Sequence, residues 1–143
     1  MSDDNTKYIF IIINGNSMKP IYPPLTKLVM LHDERKFVIG DVVVFHKSYI
    51  IVIHRVVDII DDRFIITKGD NNIYFDRPLR IKNVIGKIVD KYSINNYNIS
   101  HYSRLVGLIN DKFGKEHMLT EFIFYIFQKY LKGSLMAFKD ETQ

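Results

Sequence analysis

The chain has 143 residues, no cysteine, 47% hydrophobic and 25% charged residues, and a formal net charge of +4. That suits one soluble globular domain with its own core, and it excludes disulfides, thiolate-bound metals and a cysteine nucleophile. The lysines and arginines are scattered rather than clustered, so a nucleic-acid partner is not indicated.

Residues 1–7 are polar, carry Asp3 and Asp4, and lack the basic-then-apolar order of a signal peptide. Residues 8–13 form a continuous apolar run and predict a buried strand. Asn14-Gly15-Asn16 breaks that run, and Pro20, Pro23 and Pro24 hold the next segment extended. Short strands are predicted at residues 28–31, 42–45, 49–60, 64–67 and 84–89, with turns at Gly40-Asp41, Asp61-Asp62 and residues 68–72 between them. Many short strands separated by turn residues predict a mainly β domain over residues 1–92: a coiled antiparallel sheet or partial barrel.

The character changes after Tyr92. Asn95, Asn96 and Asn98 suggest a loop, and residues 103–112 and 118–132 have the lengths and compositions of two helices. Residues 93–143 are therefore expected as a helical appendage beside the β domain. The apolar stretch within residues 118–131 falls well short of the roughly 20 residues of a spanning helix. The expectation is a cytoplasmic protein without a transmembrane segment, with peripheral membrane contact through that stretch left open.

Four segments could carry chemistry. Gly15-Asn16-Ser17-Met18-Lys19-Pro20 follows a strand, where a serine can expose its hydroxyl beside backbone N–H groups. Alone, it reads equally as a serine-proline turn. Gly40-Asp41-Val42-Val43-Val44-Phe45 is a turn feeding a strand, with no chemistry of its own. Val52-Ile53-His54-Arg55-Val56-Val57 places a histidine among strong β-formers. It is either a satisfied histidine on a sheet face or the base that an unassisted serine needs near pH 7. Thr67-Lys68-Gly69-Asp70-Asn71-Asn72, with Asp76-Arg77 beyond it, is an Asx-rich turn or the source of a carboxylate that orients the imidazole.

In this order the four segments resemble the signal peptidase family, over about residues 12–89. The family shows a G-x-S-M-x-P nucleophile box, a G-D-V-V-x-F strand, a box around the base and a K-G-D-N-N box with a later aspartate. His54-Arg55-Val56 resembles the histidine-base branch found in the endoplasmic reticulum, in archaea and in some Gram-positive bacteria; the common bacterial enzymes place lysine there. The resemblance implies a serine endopeptidase that cuts an extended segment of a peptide or protein precursor, such as a leader peptide. It implies Ser17 as nucleophile, His54 as base and Asp76 as acid, with Asp70 the other candidate acid. Asp70 and Arg55 would support the site, while Asn16, Met18, Pro20 and Tyr22 would face substrate. No metal or cofactor is implied.

Two departures stand out. The Gly-Asp turn that usually follows the nucleophile box is here Leu25-Thr26, and Tyr22 stands where it could reshape a substrate pocket. No anchoring hydrophobic helix is legible before Ser17, so the substrate would be met in solution, at a membrane surface or through a partner. Two alternatives share the fold: a regulator related to self-cleaving repressors, which use a lysine base, and a non-catalytic peptide-binding module. The oligomeric state is not legible.

Overall fold

A computed structural model describes residues 7–89 and Leu108. The expected loop and two helices of residues 93–143 otherwise lie outside the described residues, as does the boundary at residue 92. The described part is mainly β, as the turn-punctuated pattern predicts. Seven strands form one antiparallel sheet: β1 (Tyr8–Ile12), β2 (Lys27–His32), β3 (Val42–Lys47), β4 (Ile50–Ile59), β5 (Phe64–Lys68), β6 (Leu79–Arg80) and β7 (Val84–Ile88). Their spatial order is β1-β2-β7-β3-β4-β5-β6, so β7 crosses back to lie between β2 and β3. The sheet is open, with β1 and β6 as its edges, and does not close into a barrel.

The run Val42-Val43-Val44-Phe45 is apolar at every position because both faces of β3 are covered. Val42 and Val44 point into a core with Ile13, Met18, Ile21, Tyr22, Leu28, Met30 and Ile88. Val43 and Phe45 point the other way, into a second core with Val52, Val56, Ile65 and Val84. The strand therefore joins two hydrophobic cores, each buried side chain contributing roughly 1.5–3 kcal/mol.

Residues 8–13 differ from the buried strand expected of them. Among the described residues, Tyr8–Ile12 forms an edge strand paired only with β2, with Ile9 and Ile11 packed on the core and Tyr8, Phe10 and Ile12 exposed, and Ile13 beyond it is buried. An all-apolar run carries no alternation to reveal this. The brief β6 and the 3-10 turn η1 (Ile81–Asn83) escape the sequence pattern because neither is long enough to show a period.

Strand β4 is the element that positions the site. Its first half, from Ile50 to Arg55, pairs with β3, and its second half, from Arg55 to Ile59, pairs with β5 across a bulge at Val57. Among the described residues, 50–54 therefore keep one backbone edge outside the ladder. Among the described residues, no helix is long and apolar enough to cross a membrane.

Candidate active site

Ser17 lies in the excursion between β1 and β2. The Ile13 N–H donates to the Thr26 carbonyl (3.0 Å) and the Leu25 N–H to the Ile13 carbonyl (2.7 Å), closing the base of the loop. Met18 and Tyr22, both 1% exposed, plug it into the first core, and the Tyr22 N–H donates to the Met18 carbonyl (2.9 Å). Met18 thus fixes the loop while its neighbour Ser17 stays half-buried at the surface of a cleft of about 800 Å³.

The cleft runs between Ile11–Ile13 at the end of β1 and the tip of the β3–β4 hairpin, from Lys47 to His54. Ser17 and His54 both line it. The Ser17 hydroxyl makes no hydrogen bond to His54 among the described residues. Such contacts are commonly loose until substrate binds.

The His54 ring is held from behind. Its Nδ1 lies 2.5 Å from Asp76 Oδ2, and the edge of Phe45 packs at 6.1 Å between ring centroids. An ionised carboxylate can only accept, so this contact puts the proton of the neutral ring on Nδ1 and the lone pair on Nε2. Asp76 is itself fixed. Its Oδ2 also accepts from Thr67 Oγ1 (2.7 Å), its N–H donates to the Thr67 carbonyl (2.9 Å), and Lys47 Nζ stands 3.8 Å from Oδ1. Burial pushes the Asp76 carboxyl up, but the hydrogen bond and charge of His54 and the Thr67 hydroxyl outweigh it and hold the group below its ordinary value.

Arg55 and Asp70 form a separate, wholly buried unit. Successive residues of a strand face opposite ways, so Arg55 points away from His54. Its Nε and Nη2 each donate to Asp70 at 2.9 Å, and Nη1 donates to the Gly40 carbonyl at 2.9 Å. Both side chains are 0% exposed. The pair ties β4 to the 69–72 turn and to Gly40, whose φ of 106° favours glycine. Asp70 is thus engaged by Arg55, while Asp76 is the carboxylate that reaches His54.

The 69–72 turn in turn grips the serine loop. The Asn71 N–H donates to the Ser17 carbonyl (2.7 Å), and Asn71 Nδ2 donates to the Asn16 carbonyl (3.1 Å). A Cβ on Gly69 would sit 2.7 Å from the Ser17 carbonyl oxygen, so only glycine permits this approach. Beside it, Lys68 is 0% exposed and donates to the Gly69 carbonyl (3.2 Å). Burial drives its ammonium down to about 8, against the opposing pull of Asp70 and Asp76.

Ser17 and His54 thus line one cleft, Asp76 reaches His54 from outside that lining, and Arg55 and Asp70 form a separate buried pair. Of the residues expected to face substrate, Met18 borders the cleft; Asn16 is exposed beside it, while Asn16 and Pro20 do not line it. Tyr22 is a core residue rather than a pocket wall, because the loop needs it to pack against the first core. Sequence reasoning assigned no role to Thr67, Gly69 or Lys47. The Thr67-Lys68-Gly69 run is legible in the sequence, but only the fold shows that Thr67 faces Asp76 and Gly69 faces Ser17. Among the described residues, no cluster of three or more His, Asp and Glu side chains is arranged to hold a metal ion. No protein-family model matches the chain, and no curated protein matches it.

Proposed function

We propose that the protein is a serine endopeptidase of signal-peptidase type, in the histidine-base branch, with Ser17, His54 and Asp76 as its triad. One observation carries the reading: Ser17 and His54 line the same cleft while Asp76 holds His54 Nδ1 and leaves Nε2 as the basic nitrogen. In the reaction Ser17 Oγ attacks a peptide carbonyl and His54 Nε2 takes the hydroxyl proton. The Ser17 N–H, which donates to no backbone carbonyl among the described residues, is positioned on the chain to receive the oxyanion. As the C–N bond breaks, His54 returns the proton to the leaving amine. A water then hydrolyses the acyl-serine with His54 again as base. Asp76 stabilises the imidazolium in both halves without taking the proton.

The cleft suits an extended apolar segment. The outer edge of β1 and the 50–54 edge of β4 both carry backbone groups outside the ladder, and isoleucines 11, 12, 13, 50, 51 and 53 form the walls. A precursor strand can add to such edges through main-chain hydrogen bonds while its side chains meet the apolar walls.

A fluorophosphonate probe read by intact mass tests the reading. The expected result is one adduct on the folded protein, absent in Ser17→Ala and much slower in His54→Ala. Failure of the folded wild type to label at pH 8, together with no cleavage of apolar precursor peptides, refutes it. A non-catalytic module would instead bind such peptides equally well with Ser17→Ala.

A further inference from the structure

The far end of β5 carries a second concavity, of about 460 Å³, between the turn at residues 61–63, the loop at residues 33–36 and η1. Thr67 lies three positions, about 10 Å, along the strand from Phe64, and the two concavities share no lining residue, so this one is distinct from the cleft. Arg35, Arg63, Arg80 and Lys82 line it, against one carboxylate, Asp62.

The cations are arranged rather than scattered. Phe64 and Arg80 are cross-strand partners, and the ring lies 5.7 Å from Arg80 Cζ and 5.9 Å from Arg63 Cζ. That stacking holds both guanidinium groups at the ring; Arg63 Nη2 also lies 3.4 Å from Asp61 Oδ2, whereas the Arg80 fork pairs with no carboxylate among the described residues. Arg35 at the rim is fixed at both terminal nitrogens: Nη1 donates to the Val84 and Glu34 carbonyls (2.9 and 3.1 Å) and Nη2 to Asp33 Oδ1 (2.5 Å), so it contributes charge rather than a free fork. Asp33 and Asp61 pair with Arg35 and Arg63, whereas Arg80 and Lys82 form no salt bridge among the described residues.

We propose that this concavity is a binding site for a phosphate-bearing ligand, held by Arg63, Arg80 and Lys82 with Arg35 at its rim. A peptide carboxylate carries one charge and occupies one guanidinium fork. The Arg80 fork and the Lys82 ammonium, neither of them in a salt bridge among the described residues, stand with Arg63 around one small space and match an anion with more oxygens and close to two charges. The site uses no residue of the proposed triad and stands whether or not the cleft is catalytic.

The test is a titration of the full chain with inorganic phosphate and with pyrophosphate, followed by amide chemical shifts at constant ionic strength. Saturable shifts centred on Phe64, Arg80 and Lys82 are expected, roughly tenfold weaker in Arg80→Ala and in Lys82→Ala. Both positions are exposed, so the variants should fold, and Arg80→Lys separates loss of the fork from loss of charge. A parallel arm uses phosphatidylcholine vesicles with and without phosphatidic acid. Binding that requires phosphatidic acid and is displaced by pyrophosphate assigns the phosphate to a lipid headgroup; solution binding without vesicle binding assigns it to a free ligand. Shifts spread evenly over all basic residues, or affinities unchanged in the Arg80 and Lys82 variants, overturn the proposal.

Discussion

Replacing Asp70 with alanine should unfold much of what holds the site without touching the triad. The Arg55–Asp70 pair is bidentate, with both contacts at 2.9 Å and neither side chain exposed. Removing one member of such a pair leaves an uncompensated buried charge and costs about 3–5 kcal/mol. The total stability of a domain is about 5–15 kcal/mol, so this is a large share of it. In urea, with a slope of about 1–2 kcal/mol per molar, the midpoint should fall by roughly 1.5–5 M. The two partners are not equivalent. Arg55→Met leaves Asp70 beside the Lys68 ammonium, whose charge already interacts with it. Asp70→Ala instead strips a carboxylate from both Arg55 and Lys68, and only Lys68 can answer by losing its proton, since guanidinium stays charged. Asp70→Ala should therefore cost more than Arg55→Met. Equilibrium unfolding followed by circular dichroism decides it. A loss below about 1 kcal/mol at unchanged slope, or the reverse order of the two variants, refutes the reasoning.

Other changes separate scaffold from chemistry. Asp76→Asn should lower peptide cleavage about 10³–10⁴-fold while moving the urea midpoint far less than Asp70→Ala does; matched losses of activity and stability would deny Asp76 its orienting role. Lys68 binds its proton less tightly folded, at about 8, than at its ordinary 10.5. The unfolded chain thus holds more protons between those values, and stability should rise with pH across that window by up to about 3 kcal/mol. Lys68→Met should flatten that rise in pH-dependent unfolding, and an unchanged slope would contradict it. Gly69→Ala puts a methyl 2.7 Å from the Ser17 carbonyl; it should cost about 1–3 kcal/mol and depress kcat by displacing the serine loop, both readable from one preparation. Leu25 is 79% exposed and sits at φ 69°, so Leu25→Gly should relieve strain and raise the unfolding free energy by up to about 1 kcal/mol; a lower midpoint in urea would count against strain there.

Much of the strand layout was legible because turns such as Asp61-Asp62 and Gly40-Asp41 punctuate β-branched runs. What the pattern could not carry was pairing. Residues 8–13 and 42–45 are equally apolar, yet one is an edge and the other the shared wall of two cores, since burial depends on neighbours brought by β7 from the far end of the segment. The same limit applied at Tyr22, where proximity to the serine suggested a pocket wall and packing made it a core anchor. At Leu25 a leucine gives no sign in the sequence of a left-handed backbone, yet its φ is 69° and its N–H donates to the Ile13 carbonyl.

The choice between Asp70 and Asp76 turns on strand parity. His54 and Arg55 are adjacent in β4, so they face opposite sides of the sheet, and each side offers one carboxylate. Arg55 takes Asp70 on its own face, with Lys68 adding a second cation there. His54 is left with Asp76, which also accepts from the Thr67 hydroxyl and feels the largely exposed Lys47 and, more weakly than Asp70 does, Lys68. Two buried cations on Asp70 compensate its charge locally, so the negative field felt by the imidazole comes mainly from Asp76. A one-residue slip of β4 would exchange the faces and give histidine the carboxylate that arginine now holds. The bulge at Val57 and the Arg55–Gly40 bond lock that register from both sides, and with it the identity of the residue that can orient the base.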